Sequence, residues 1–157
     1  MTIFFSPFKR SHIYSGTKYS VAVFQPTGFQ LPQLPFLAPM AADKTRIQIL
    51  DNSPEAIINF KQALLAAYKS RWQIINNWLK TLNNQNDIVL CCWCPYSSIA
   101  INQIKQHNFF LCHMGIIAQL LEQHRNDLSI VMDPKYQKLY QDWQPNALRQ
   151  IYEDISF

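Results

Sequence analysis

The fold of this chain is decided by a stretch that reads Asp87-Ile88-Val89-Leu90-Cys91-Cys92-Trp93-Cys94-Pro95. Ile88–Trp93 is a nearly continuous apolar run, without the alternation of apolar and polar residues that a half-exposed strand shows. Strands covered on both faces in the middle of a parallel sheet have this pattern. The stretch therefore predicts a buried central strand that runs into a loop at Pro95.

The residues that follow predict a parallel partner for this strand. Ser97–Gln106 and Met114–His124 have the apolar spacing of helices, and Asp127–Met132 is a further strand that stops at Asp133-Pro134. Strand, helix and strand in this order form a βαβ unit, whose strands are parallel and whose crossover is right-handed. Residues 88–132 therefore predict an α/β fold, a single three-layer domain with a mainly parallel sheet.

Upstream residues predict two more strands and a long helix. The strands are Lys18–Gln25 and Thr45–Leu50, which both alternate apolar and polar residues. The helix runs over Pro54–Leu82 with a bend near Ser70, and Ser53 precedes it as a capping residue. Residues 1–18 have no pattern that assigns them to a helix or a strand.

Length and composition indicate one soluble domain over residues 1–157. A chain of this length buries roughly 70% of its unfolded surface. No apolar run approaches the 18 or so residues that span a bilayer, and Met1–Pro7 is too short for a signal peptide. We therefore expect a cytoplasmic protein without a membrane partner.

Positive charge is concentrated in the first third of the chain. Residues 1–50 hold five basic groups against one acidic group, whereas residues 51–157 hold nine of each. The chain thus divides into a basic, proline-rich part (1–50) and a helix plus βαβ core (51–157). The charge indicates an anionic ligand or, alternatively, a basic edge that serves solubility alone.

The segment 26–39 contains four prolines and Gly28, a density that predicts an extended loop. Loops of this length in compact domains are often functional. One hypothesis is that the loop docks on a partner protein. It requires that Phe29, Leu34 and Phe36 form an exposed patch instead of packing on the core.

All four cysteines lie in Cys91–Cys94 and at Cys112, and His113 follows the last of them. This arrangement resembles the domain-of-unknown-function family numbered four-eight-eight, over about residues 55–132. The resemblance rests on the long helix, on the Ile-Val-Leu-Cys-Cys-Trp-Cys strand end, and on Cys112-His113 opening a helix, where the family has a Cys-His-Arg triplet. Met114 replaces the arginine of that triplet, Gln25 replaces an N-terminal arginine, and the spacer before Cys112 is longer than usual. The family has no settled activity, so the resemblance implies a fold and a site.

Three interpretations of the cysteines and histidine stay open. In the first, Cys112 is a nucleophile whose pKa is lowered at a helix start, and His113 is its acid or base. In the second, Cys92, Cys94, Cys112 and His113 bind zinc, although their spacing lacks the two-residue gaps of closed zinc sites. In the third, the cysteines are small buried hydrophobic residues and His113 is a hydrogen-bonding cap. We predict no metal and no cofactor.

A ligand site is predicted beyond the strand ends, where parallel sheets bind their ligands. Aromatic faces would stack on the ligand, while helix-start amides and cationic side chains would bind an anion. The predicted ligand-binding residues are Trp93, Cys94, Tyr96, Ser97, Lys44 and Arg46, and the candidate catalytic residues are Cys112 and His113. Asp133 and Asp43 are lone carboxylates without an evident partner.

Familiar enzyme classes are disfavoured, because the chain has only three glycines and no glycine-rich phosphate loop. Serine-hydrolase, zinc-protease and kinase motifs are also absent from the sequence. The leading hypothesis is therefore a small protein that binds a nucleotide-like or nucleic-acid anionic ligand. The alternatives are a cysteine-dependent enzyme acting on such a ligand through Cys112, and an interaction protein that uses the 26–39 loop.

Overall fold

The described residues form a four-stranded, all-parallel β-sheet with the strand order β2-β3-β1-β4. A computed structural model describes residues 1–39, 54–83, 86–93 and 113–135, with the backbone alone for residues 54–61. The strands are β1 (Thr2–Pro7), β2 (Thr17–Ser20), β3 (Ile88–Cys92) and β4 (Ser129–Met132). Parallel strands connected through helices confirm the predicted α/β class.

The two central strands hold the most buried part of the sheet. All residues of β3 are buried, as its unbroken apolar run predicts. β1 pairs with it from Ile3 opposite Ile88 to Pro7 opposite Cys92, and both Ile3 and Phe5 are fully buried. β1 lies in the segment to which the sequence analysis assigned no structure, because its apolar run is short and is flanked by basic and aromatic residues.

β2 is shorter than the strand predicted over Lys18–Gln25. The last ladder bond runs from the Val21 N–H to the Cys91 carbonyl (3.0 Å), and the chain then leaves the sheet. The loop returns along the outer side of Ser20, whose N–H donates to Pro32 (2.8 Å) and whose carbonyl accepts from Leu34 (2.9 Å). The alternation seen in the sequence beyond Ser20 therefore belongs to a loop that packs against the strand.

The predicted long helix is broken in two at the predicted bend. α1 (Pro54–Ser70) and α2 (Trp72–Thr81) are separated by Arg71, whose backbone (φ −103°, ψ 10°) is not helical. The Ser70 hydroxyl donates back to the Ala67 carbonyl (2.8 Å), a bond that competes with regular helix geometry. The helices contribute the buried side chains Leu64, Tyr68, Ile75 and Leu79 to the core.

α3 (His113–His124) lies between β3 and β4 in the chain and buries most of its residues. Arg125, which follows it, donates to the carbonyls of Leu79 and Leu82 at the end of α2. This contact ties the two helices together. In the described parts of the chain, no helix is both long and apolar enough to cross a membrane.

A short crossover joins β1 to β2 through a 3-10 helix (Phe8–Ile13). Since the two strands are parallel, the chain must return from the carboxyl edge to the amino edge of the sheet within residues 8–16. The 3-10 helix contacts β1 and β3 on the way. The crossover ends at Gly16, beside Asp87 at the entrance to β3.

Some predicted elements lie outside the described residues. They are the strand Thr45–Leu50, the helix Ser97–Gln106 and the two helices expected after residue 135. The three-layer arrangement stays a prediction.

Candidate functional site at the carboxyl edge of the sheet

The carboxyl ends of the four strands meet at one edge of the sheet. Phe8, Val21, Trp93 and Asp133 are the residues that follow β1, β2, β3 and β4 there. Ligands of parallel α/β sheets bind in the crevice outside this edge. These residues therefore define the candidate site, which we call the carboxyl-edge site.

Aromatic side chains form a cluster at the carboxyl-edge site. The ring of Phe8 lies 5.2 Å from that of Phe29 and 6.1 Å from that of Trp93, the latter edge to face. The indole N–H of Trp93 donates to the Phe24 carbonyl, which fixes the ring. Trp93 is 39% exposed and Phe24 is 62% exposed, so two apolar side chains face solvent at the place where a ligand is expected.

The loop that carries Phe24 and Phe29 is closed by Gln25. The Gln25 amide donates to the Leu31 carbonyl and accepts from the Leu31 N–H, both at 2.7 Å. These two bonds replace a backbone turn and hold the loop in one conformation. Gln25 thus shapes the edge of the site.

A thiol and an imidazole meet beneath this loop. The Nε2 atom of His113 lies 2.9 Å from the Val21 carbonyl oxygen, and its Nδ1 atom lies 3.9 Å from the Cys92 sulfur. His113 is buried, with 5% of its surface exposed. The imidazole therefore connects α3 to the end of β3 and to the exit of β2.

Cys91 is a different kind of thiol. It is fully buried, and burial raises the pKa of its thiol to about 12. A thiol with this pKa is not ionised at neutral pH and is a poor nucleophile. Cys91 therefore fits the interpretation in which a cysteine serves as a small core residue.

Asp133, expected to be a lone carboxylate, instead has three partners, so that expectation was wrong. Arg10 Nε lies 2.9 Å and 3.0 Å from its two oxygens, the Tyr14 hydroxyl donates to it (2.6 Å), and so does the Lys135 N–H (3.0 Å). The Asp133 side chain is completely buried. Arg10 and Tyr14 come from the crossover, more than a hundred residues away in sequence, and a sequence pattern does not reveal such a pairing.

The surroundings of Asp133 shift two pKa values. Burial by itself raises the pKa of Asp133, but the hydrogen bonds from Tyr14, from the Lys135 N–H and from Arg10 outweigh it, so the pKa is lowered. The pKa of Tyr14 rises to about 12, because of its burial and its bond to the Asp133 carboxylate. Asp133 is therefore a charged and fully bonded anchor of the fold.

The lowered pKa predicts how stability depends on pH. The unfolded chain binds more protons than the fold at this carboxyl group, so stability falls as the pH falls. The contribution of Asp133 is complete above its unfolded pKa near 3.8 and is lost as the pH drops through the folded value. Urea unfolding between about pH 5 and pH 2 should show this loss, and Asp133→Asn should flatten it. Equal slopes for both proteins would contradict a charged Asp133 in the fold.

Of the predicted site residues, the structure describes Trp93 and His113. It brings both to the carboxyl edge, and the segment 21–24 contacts each of them. The predicted residues Lys44, Arg46, Cys94, Tyr96, Ser97 and Cys112 lie outside the described residues. Sequence reasoning missed Phe8, Phe24 and Phe29, because only the folded chain brings them to Trp93.

The 26–39 loop packs on the core. Leu34 is buried, Phe29 and Phe36 are partly buried against the core cluster, and Leu37 is fully enclosed. The exposed patch that docking through Phe29, Leu34 and Phe36 requires is therefore not formed. Within residues 1–39, 54–83, 86–93 and 113–135, no group of three or more potential metal-ligating side chains is present.

No family model, no curated protein and no solved structure matches this chain. Function is therefore inferred from the carboxyl-edge site.

Proposed function

We propose that this protein binds a nucleotide-like or nucleic-acid anionic ligand at the carboxyl-edge site. The observation that supports this best is the exposed ring of Trp93, fixed beside the exposed Phe24 at the carboxyl ends of parallel strands. Aromatic side chains stack on nucleobases, and stacking is worth about 1–3 kcal/mol per base. A rigid, solvent-facing indole at this position provides such a surface.

Charge near the aromatic cluster favours an anion. Residues 1–39 contain Lys9, Arg10 and Lys18 and no acidic residue. Lys9 is exposed and follows Phe8, whose ring contacts Trp93. Arg10 is bonded to Asp133. We propose Lys9, which is adjacent in sequence to Phe8, as a contact to a phosphate. Lys44, Arg46, Cys94, Tyr96 and Ser97 are proposed as further ligand contacts on the basis of the sequence.

A cysteine-dependent enzyme acting on the same ligand is the second candidate. It was predicted to use Cys112 with His113 as acid or base. The observation that favours this class is the orientation of the His113 ring, which a carbonyl on one side and a thiol on the other hold in place. Catalysis by Cys112 itself rests on the sequence.

A thermal-shift screen tests the binding proposal. The panel consists of mononucleotides, short single-stranded oligonucleotides, inorganic phosphate and a nucleoside without phosphate. A ligand that binds the folded state raises the melting temperature by mass action. We expect a shift from nucleotides that exceeds the shifts from phosphate and from the nucleoside alone. The absence of a shift from every nucleotide and oligonucleotide at millimolar concentration would contradict the proposal.

Lys9→Ala should weaken nucleotide binding by about tenfold, since one charge-assisted hydrogen bond to phosphate is lost. Lys80→Ala is the matched control, because Lys80 is also exposed but lies on α2, which carries none of the residues that define the site. Isothermal titration calorimetry with the best nucleotide of the screen measures both. If the two variants bind as tightly as each other, Lys9 does not contact the ligand.

A further inference from the structure

Cys92 and His113 form a nucleophile-and-base arrangement in which Cys92 takes the place that the sequence suggested for Cys112. The thiol lies at the last position of β3, and the imidazole opens α3, with 3.9 Å between Sγ and Nδ1. A nucleophile within hydrogen-bonding reach of a base, with the base oriented by a third group, is the arrangement of covalent catalysis. Here the third group is the Val21 carbonyl, 2.9 Å from Nε2.

The Val21 carbonyl determines which ring nitrogen faces the thiol as a base. A carbonyl oxygen only accepts hydrogen bonds, so Nε2 must carry the proton of the neutral ring. Nδ1 then carries the lone pair of the neutral ring and lies 3.9 Å from the Cys92 sulfur. When Nδ1 takes the thiol proton, the imidazolium keeps its bond to Val21. Resting thiol–imidazole distances are often long and shorten when the substrate binds.

The position of Cys92 differs from that of Cys91, although the two are adjacent. Successive side chains of a strand point to opposite faces, so the two thiols have different surroundings. Cys91 is fully enclosed, whereas Cys92 and His113 retain 3% and 5% of their surfaces. Cys92 also precedes Trp93, which is 39% exposed. The pair therefore lies directly below the surface of the carboxyl-edge site.

We propose that Cys92 is a nucleophile, with His113 as its general base, that accepts the acyl group of an activated ester or thioester. The Cys92 proton passes to Nδ1, and the sulfur attacks the acyl carbon. An S–C bond forms, the bond from the acyl carbon to the leaving oxygen or sulfur breaks, and Nδ1 returns the proton to the leaving group. Oxidation states do not change, and the acyl donor is the single co-reactant. An acyl donor fits because the same nitrogen, Nδ1, takes the proton from the thiol and returns it to the leaving group.

The wild-type chain tests this without any substitution. The probe is p-nitrophenyl acetate, whose leaving group absorbs light, and peptide mass mapping locates the acetyl group. We expect release of p-nitrophenolate together with acetylation of Cys92 but not of Cys91 in the folded protein. Acetylation of Cys92 only after unfolding in urea would overturn the proposal, and so would acetylation that falls on Cys94 or Cys112 instead.

Variants separate catalysis from packing. Cys92→Ser should abolish the acetylation, and Cys91→Ser, one residue earlier in the same buried strand, should keep it. His113→Gln retains a donor for the Val21 carbonyl but has no base, so acetylation of Cys92 should slow by about 100-fold. An unchanged rate in His113→Gln would overturn the role of the imidazole. Nucleotide binding is measured separately, so its failure and the failure of this proposal are distinguishable.

Discussion

Asp133→Ala will lower the free energy of unfolding by about 3 kcal/mol, the scale of losing charge-assisted hydrogen bonds at a buried carboxylate. The side chain is completely buried, and Arg10, Tyr14 and the Lys135 N–H all bond to it. Its loss removes the carboxylate to which both Arg10 and Tyr14 donate. It also removes the ion pair that joins the crossover to the end of β4. Between the described residues, no other ion pair joins these two segments.

Urea unfolding at pH 7, followed by circular dichroism, measures this effect through the transition midpoint. Asp127→Ala is the matched control, since Asp127 also pairs with an arginine, Arg125, but the Asp127 side chain itself is 46% exposed. Exposed ion pairs contribute little to stability, so the control should unfold close to the wild type. Similar unfolding curves for the two variants would contradict the structural role assigned to Asp133.

Gly16→Ala will destabilise the fold by about 3 kcal/mol, the upper end of the cost of a strained backbone position. Gly16 has a φ of +123°, a conformation that residues with a side chain rarely adopt. A Cβ atom there would lie 2.6 Å from the Asp87 carbonyl oxygen. That oxygen accepts the Thr17 N–H (3.0 Å), and the Asp87 carboxylate accepts the Thr2 N–H (2.6 Å). A shift of Asp87 would therefore disturb the starts of three strands.

Gly28→Ala separates the two causes of this effect. Gly28 also has a positive φ, +91°, but a Cβ atom there would meet nothing within 4 Å. Its substitution should cost only the backbone strain, about 1 kcal/mol. Urea unfolding of both variants gives the comparison. Equal losses would mean that contact with Asp87 contributes nothing at Gly16.

The sequence predicted those parts of the fold in which local pattern and tertiary environment agree. β3 has an unbroken apolar run because both its faces are buried, and Ser70 marks the helix break because its hydroxyl bonds to the preceding turn. β1 was missed, because its burial comes from pairing with β3 and β4, far away in sequence. β2 was predicted too long, because the alternation of Val21–Gln25 continues into a loop.

The sequence also predicted only part of the candidate site. The rule that ligands bind at the carboxyl ends of parallel strands placed Trp93 and His113 at the same edge, and the structure shows both there. The sequence paired His113 with Cys112 in one interpretation and with Cys92 in the zinc interpretation, but it did not indicate the contact with Val21, which is 92 residues away. Asp133 was read as unpartnered for the same reason. Pairings across the sheet depend on strand order, which local sequence does not specify.

The central claim is that a nucleotide-like ligand stacks on Trp93 at the carboxyl-edge site. Its most direct test is calorimetric titration of the wild type, Trp93→Ala and Ile74→Ala with the best nucleotide of the screen. Ile74 is the control, because it is 55% exposed and lies on α2. We predict that Trp93→Ala weakens binding by about 10- to 100-fold, the scale of one lost stacking contact, while Ile74→Ala binds like the wild type. Equal affinity of Trp93→Ala and the wild type would contradict the claim.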